Sequence, residues 1–323
     1  MSDIKFLGEE DFLPAMNNEI KTWRETIVKQ DSIQSFDGTR LNYYVATPEN
    51  PKACVVVVHG MAEFYGKYHE YLWNLYRAGY MVCFMEQRGF GYSEGKAPEH
   101  DLIYIDDYET YVEDLHCFID NRVRPLAKDL SLFLIAYSMG GCIGALFLEK
   151  YPSVFKGAIL SSPMMKMKGQ DYSPIMVNLV GLYAAISGKS KKLAPGQKHF
   201  NPDAKLEVSS AVSRPRFEYQ LNMRRGDKHY QPSGATFGWA VASLRATREV
   251  IRYAGNIKIP VCVMTAGDDH LIDPAGYESF KEKLPSAKFY HYERSRHEIF
   301  NSDEETRKQY FSDVLSILES FQG

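Results

Sequence analysis

The run Ala136-Tyr137-Ser138-Met139-Gly140 sets one serine between two stretches of different periodicity. Ahead of it, Leu130 to Ile135 is a short apolar run bounded by polar residues, the pattern of a buried parallel strand. Behind it, Gly141, Gly144 and Ala145 suit a helix packed tightly under a turn. A strand that passes into a helix through a single residue makes a strained elbow and lifts that side chain clear of the backbone. The usual form is G-x-S-x-G, and here Ala136 stands in place of the first glycine, one extra methyl at the crossing.

Such a turn belongs to a chain that alternates strand and helix, and this one does so from Ala53 onward. Strands are predicted near 53–58, 80–86, 130–137, 156–161, 260–266 and 287–293, and helices near 67–78, 104–123, 139–151, 238–254, 274–284 and 303–321. Alternation of this kind specifies a mostly parallel sheet covered by helices on both faces. The first 30 or so residues read as a polar, partly helical lead, and residues 34–47 as a hairpin around Asp37-Gly38. The rhythm breaks between Pro163 and about Ala235, an interval too long for an ordinary connection. The expected organisation is a core of residues 1–163 and 236–323 with a cap insertion at 164–235. Within the insertion, Pro174 to Ile186 is apolar nearly all round yet too short to span a bilayer, which predicts a helix whose inner face covers a cleft. A basic loop follows with Lys189, Lys191, Lys192, Lys198 and His199, readable as a solvated face or as an attractor of phosphate head groups.

Two further chemical groups follow the serine at strand ends. The apolar run Pro260 to Gly267 leads into Asp268 and Asp269, and the alternating run Ala287 to Glu293 leads into His297. A serine hydroxyl is a poor nucleophile at neutral pH, so an imidazole must take its proton and a carboxylate must orient the imidazole. Ser138, an aspartate and His297 thus appear in a usable chain order.

Several motifs together resemble the lysophospholipase and monoacylglycerol lipase family of α/β-hydrolases, in particular its lysophospholipase L2-like branch. His59-Gly60-Met61-Ala62-Glu63-Phe64-Tyr65-Gly66-Lys67-Tyr68 is similar to H-G-x-x-E-x-x-x-R-Y, with Lys67 for arginine. Glu86 to Gly95 is similar to D-x-R-G-x-G-x-S-x-G, with Glu86 for aspartate, and Gly234 to Trp239 to G-x-T-x-x-W. The resemblance implies an α/β-hydrolase fold with a helical cap. It also implies a triad of Ser138, Asp269 and His297, Asp269 being preferred to Asp268 because Asp273 completes the D-x-x-x-D spacing. The oxyanion hole it implies is made by the backbone N–H groups of Met61 and Met139. Glu63 would touch a substrate glycerol or cap a helix. Ile175, Leu179, Lys191 and Lys192 would meet the substrate from the cap, and His59, Arg88 and Ser93 would order loops. The expected reaction is hydrolysis of the acyl ester of a single-chain glycerolipid, lysophospholipid first and monoacylglycerol second. A small-ester esterase, a peptidase and a silent hydrolase-like binding protein are the alternatives on this fold.

Bulk properties bound the partners. The 323 residues carry 45% hydrophobic and 24% charged residues and a formal net charge of -3, an ordinary globular balance without the basic excess that nucleic acid requires. No C-x-x-C or H-E-x-x-H spacing is present, so neither a metal nor another cofactor is expected. Five cysteines, mostly in apolar runs, read as buried thiols, and Met1 to Lys5 begins no apolar signal core. A cytoplasmic protein with a peripheral membrane contact through the cap is the expectation.

Overall fold

The structure, a computed structural model, describes residues 4–322. The chain opens with helices α1 (Glu9–Asn17) and α2 (Glu19–Thr26) and a hairpin of β1 (Lys29–Gln34) and β2 (Arg40–Ala46). Gly38 takes φ +83° at the hairpin turn, a region that a side chain disfavours. Next come β3 (Cys54–Val58), α3 (His69–Arg77), β4 (Met81–Met85), the short β5 (Leu102–Ile103) and α4 (Glu109–Phe118), which runs through a π-helical turn into α5 (Arg124–Ala127). They are followed by β6 (Leu132–Tyr137), α6 (Met139–Lys150) and β7 (Gly157–Ser161). The interval after β7 holds α7 (Pro174–Ile186), α8 (Arg214–Gly226) and β8 (Gly234–Ala235). The alternation then resumes with α9 (Phe237–Tyr253), β9 (Val261–Asp268), α10 (Pro274–Lys283), β10 (Lys288–Arg296) and α11 (Glu304–Ser320).

Eight strands form one sheet in the order β1-β2-β4-β3-β6-β7-β9-β10. The β1–β2 and β2–β4 pairs are antiparallel, and every pair from β4 to β10 is parallel. Every residue of β3, β4, β6 and β7 is buried, which is why these strands read as unbroken apolar runs. Their side chains still alternate between two cores. Cys54, Val56 and Val58 face the side packed by α4, α6, α9 and α10, whereas Val55 and Val57 face α1, α2, α3 and α11.

Most predicted elements lie within a residue or two of the observed ones. The predicted helix at 104–123 begins only at Glu109, because Asp107 Oδ1 accepts from Glu109 N at 2.9 Å and ends an extended entry through β5. The G-x-T-x-x-W run has a structural cause. Thr236 caps α9 by accepting from Trp239 N at 3.3 Å, and its hydroxyl donates to Ile103 O at 2.8 Å, tying the end of the insertion to β5. Among the described residues no helix is long and apolar enough to cross a membrane. All five cysteines are free.

Candidate active site

Parallel strands deliver their carboxyl ends to one edge of the sheet, and that edge gathers the chemistry. Ser138 follows β6 with φ +53° and ψ -116°, a strained conformation for a residue with a side chain. The helix behind it comes very close. A Cβ on Gly140 would lie 2.4 Å from the His59 carbonyl oxygen, one on Gly141 2.6 Å from Pro163 Cβ, and one on Gly144 2.9 Å from Ala136 Cβ. The last contact explains how Ala136 is accommodated: its methyl occupies space that Gly144 leaves open.

His297 Nε2 accepts from Ser138 Oγ–H at 2.7 Å, and His297 Nδ1–H donates to Asp269 Oδ2 at 2.7 Å. Asp269 Oδ1 accepts from the N–H groups of Leu271 and Ile272 at 2.9 and 3.0 Å, so both carboxylate oxygens are engaged. Burial pushes the pKa of this carboxyl up, but the hydrogen bond from His297, its charge and the two backbone donors outweigh that and hold it below the usual value. The neighbouring Asp268 points away from the imidazole. Its side chain is 78% exposed and lies 3.8 Å from Arg296. The carbonyl of His297 accepts from Ser162 Oγ at 2.9 Å, which pins the loop after β10 to the end of β7.

The loop after β3 completes the edge. His59 is fully buried, donates from Nδ1–H to Gly60 O at 2.7 Å and accepts at Nε2 from Gln87 N at 2.8 Å. Those bonds require the neutral ring, and burial lowers its pKa to about 4. His59 therefore orders this loop and has no proton to exchange near neutrality. Gly60 lets the loop approach, since a Cβ there would meet Tyr137 Cδ1 at 2.9 Å and Ser138 Cβ at 3.1 Å. Met61 and Met139 line the same cavity as Ser138 and His297, a space of about 470 Å³.

A family model described as serine aminopeptidase, S33, matches residues 49–304. The chain belongs to that family. A probable lysophospholipase L2 of Haemophilus influenzae is 24% identical over 277 residues, covering 85% of this chain and 87% of that protein. A monoacylglycerol lipase of Mycolicibacterium smegmatis is 28% identical over 294 residues, covering 90% and 97%. Among solved structures, a thermostable carboxyl esterase from Bacillus coagulans superposes with a TM-score of 0.74 at 18% identity, covering 92% of this chain and all of that one. The fold is thus that of the α/β-hydrolases.

In this S33-family chain, the remaining cavity wall differs from the expectation in two ways. Glu63 caps no helix. Its Oε1 lies 2.6 Å from Lys67 Nζ, which also lies 2.7 Å from Glu298 Oε1, and all three residues line the Ser138 cavity. In the sequence Lys67 stands out only as a replacement for arginine, and Glu298 carries no signal of its own beside His297. The second difference is the roof. Phe217, Gln220, Leu221 and Arg224 of α8 line the cavity, although this helix was not foreseen. Ser213 followed by a proline in the first turn, an ordinary helix start, was its available signal.

Helix α7 buries only Val177 and Ala184. A Cβ on the intervening Gly181 would come within 3.0 Å of Val241 in α9, so the small residues mark the face that packs. Met176, Val177 and Val180 line a second, apolar space of about 380 Å³ that shares Met167, Gln170, Gln197 and Trp239 with the first. Ile175 and Leu179 line neither space. They are 73% and 61% exposed on the outer side of the helix, which corrects their expected place over the cleft. Lys191 and Lys192 are likewise exposed and line neither cavity. Arg88 and Ser93 hold the loop after β4. Arg88 pairs with Asp37 at 2.8 Å and Asp114 at 2.6 Å, and Ser93 Oγ donates to Glu86 O at 2.6 Å. Among the described residues, the one group with metal-type ligands close together, Glu99, Asp101 and His199, lines no part of the Ser138 cavity.

Proposed function

We propose that the protein hydrolyses the acyl ester of a single-chain glycerolipid, with Ser138 as nucleophile, His297 as general base and acid, and Asp269 as the carboxylate that orients the imidazole. The observation that carries this reading is the hydrogen-bonded line of Ser138, His297 and Asp269, with both contacts at 2.7 Å, on the wall of a cavity adjoining an apolar chamber. As Ser138 Oγ attacks the ester carbonyl, His297 Nε2 takes its proton, and Asp269 stabilises the imidazolium that results. The N–H groups of Met61 and Met139 receive the charge that develops on the carbonyl oxygen. Collapse of the tetrahedral intermediate leaves an acyl-Ser138, with the proton passing from His297 to the departing glycerol oxygen. Water then attacks the acyl carbonyl as His297 takes its proton, and collapse breaks the bond to Ser138 Oγ, which regains that proton as the fatty acid leaves.

The neighbouring chamber supports a long acyl chain as the group to be bound. Met176, Val177, Val180, Phe237 and Leu244 on its wall would take up methylenes at about 0.8 kcal/mol each. Residues 164–235 act as the cap in this reading. Besides Lys67, which Glu63 and Glu298 already pair, Lys168 and Arg224 put two further cations in the wall of the Ser138 cavity, which favours a phosphorylated head group and so lysophospholipid over monoacylglycerol. The outer side of α7 serves a different purpose. Ile175, Leu179, Leu182 and Ile186 form an exposed apolar stripe beside Lys189, Lys191 and Lys192, a face suited to resting on an anionic bilayer from which the substrate is drawn.

A substrate panel tests the reading. Lysophosphatidylcholine, a monoacylglycerol, p-nitrophenyl acetate and an aminoacyl arylamide are compared by kcat/KM, with lysophosphatidylcholine expected highest and the arylamide lowest. A preference for the arylamide would favour a peptidase, in keeping with the description of the family, and would overturn the lipid reading.

A further inference from the structure

The loops that carry Met61 and His297 leave strands that never meet, because β6, β7 and β9 separate β3 from β10 in the sheet. Sheet hydrogen bonds fix each strand but not the gap between their loops. The Lys67 side chain spans it with charge. Lys67 Nζ lies 2.6 Å from Glu63 Oε1, two residues past Met61, and 2.7 Å from Glu298 Oε1, the residue next to His297. The lysine stands on a 3₁₀ turn, Tyr65–Tyr68, that runs straight into α3 and so has a rigid base. Glu298 is fixed at its other end, accepting from Asn301 Nδ2 at 3.0 Å and donating its own N–H to Ser210 O at 3.0 Å.

The energetics argue against packing as the reason for this trio. The side chains of Lys67, Glu63 and Glu298 are 4%, 4% and 10% exposed. Withdrawing such charges from water costs several kcal/mol per ion, and well-packed apolar residues are commonly as stable in their place. A gain in geometry explains why ions stand there. We infer that Lys67 is a positioning residue that sets the distance between the oxyanion loop and the histidine loop through two carboxylates, touching no reacting atom itself. The inference rests on the proposed triad and oxyanion hole, and goes beyond them in naming what holds the two together.

The test uses the full chain and p-nitrophenyl butyrate, a substrate short enough to make little use of the apolar chamber. Lys67→Met should lower kcat by about 10- to 100-fold, as expected when a catalytic group is displaced by a fraction of an ångström to an ångström, while KM stays within about threefold. Labelling of Ser138 by a fluorophosphonate should slow in parallel. Glu298→Gln keeps the shape and removes the charge, and should lose about tenfold in kcat with KM retained. It decides the matter if circular dichroism shows that Lys67→Met does not fold. Wild-type kcat in the folded variants, or a loss confined to KM, overturns the inference while leaving the hydrolase reading intact. A wild type inert towards every ester overturns the hydrolase reading, and this inference with it.

Discussion

The floor of the Ser138 cavity and the roof that α7 makes over the adjoining apolar chamber are built by different means. On the floor, Ser138, Asp269 and His297 each end or closely follow a strand of one sheet, their polar atoms have named partners, and Asp269 and His297 are at most 5% exposed. On the roof, α7 touches the molecule along Val177, Gly181 and Ala184 and leaves the bulk of its large side chains in solvent. A parallel sheet specifies atom positions, as a reaction that forms and breaks bonds demands. A helix held by one stripe specifies only a surface, which on the proposed function is enough for gripping an acyl chain and easier to displace when lipid enters.

The largest effects should therefore fall on the floor. Ser138→Ala should reduce kcat by about 10⁶-fold and leave the thermal midpoint within a few degrees, since it deletes one oxygen and keeps the elbow. Retained turnover, or fluorophosphonate labelling of a different serine, would remove Ser138 from the mechanism. Asp269→Asn should cost about 10⁴-fold, because an amide facing Nδ1 selects the wrong tautomer. Asp268→Asn, at an exposed side chain near Arg296, should change kcat by less than about twofold. Equal losses from the two aspartates would erase the distinction drawn between them.

The floor should also be the more sensitive to acid. His59 must stay neutral to accept from Gln87 N, and its pKa in the fold is about 4 against 6.5 for an unperturbed ring. The unfolded chain binds more protons between those values, so stability falls as pH drops from 6.5 to 4, by on the order of 3 kcal/mol in all. Asp269 acts in a separate window. Its lowered pKa contributes stability above the unfolded value of 3.8, and this is lost only as pH falls below that value through the folded one. Urea midpoints of wild type and His59→Gln, measured from pH 7 to pH 4, check the point. Other buried groups titrate in both, so the effect is read as a difference: the wild-type midpoint should fall relative to that of His59→Gln as pH drops across the window, and parallel curves would refute the assignment.

What could be read from the amino acids follows the same division. The elbow and the strands around it were legible because burial on both faces forces unbroken apolar runs, and a close helix forces glycines at 140, 141 and 144. The side chain at position 179 was misplaced because Pro174 to Ile186 is apolar on every side and offers no amphipathic direction. Its orienting signal was size: Gly181 and Ala184 lie on the packed face, and Ile175, Leu179 and Ile186 face away. The Lys67 bridge was out of reach for another reason. Glu298 lies more than 200 residues from Lys67 in the chain, and pairing at that range depends on sheet order, which no local pattern encodes.

On the roof, the two sides of α7 should separate by substrate. Val180→Asn, which puts a polar group into the apolar chamber, should raise KM for a long-chain substrate by about tenfold, the effect of displacing one or two methylenes, and leave p-nitrophenyl acetate unaffected. Leu179→Gln, on the outer side, should leave KM for monomeric substrates alone and weaken only binding to vesicles. If Leu179→Gln matched Val180→Asn on monomeric lipid, the chamber would not be where the acyl chain lies.

The smallest effect on hydrolysis itself belongs to the basic loop. Lys191 and Lys192 are exposed and bear on neither cavity, so their contribution must come through long-range attraction rather than contact with the reacting ester. Each lysine near an anionic surface contributes about 1 kcal/mol, and the attraction decays over a Debye length of about 8 Å at physiological salt. Lys191→Gln with Lys192→Gln should therefore weaken binding to vesicles containing phosphatidylserine by roughly 30-fold at low salt, and much less at about 0.5 M sodium chloride. Hydrolysis of dispersed, short-chain esters should not change at either salt concentration. A pair of substitutions that weakened binding equally to neutral and anionic vesicles would tie these lysines to the packing of the insertion, and one without effect on either would leave them as a solvated face.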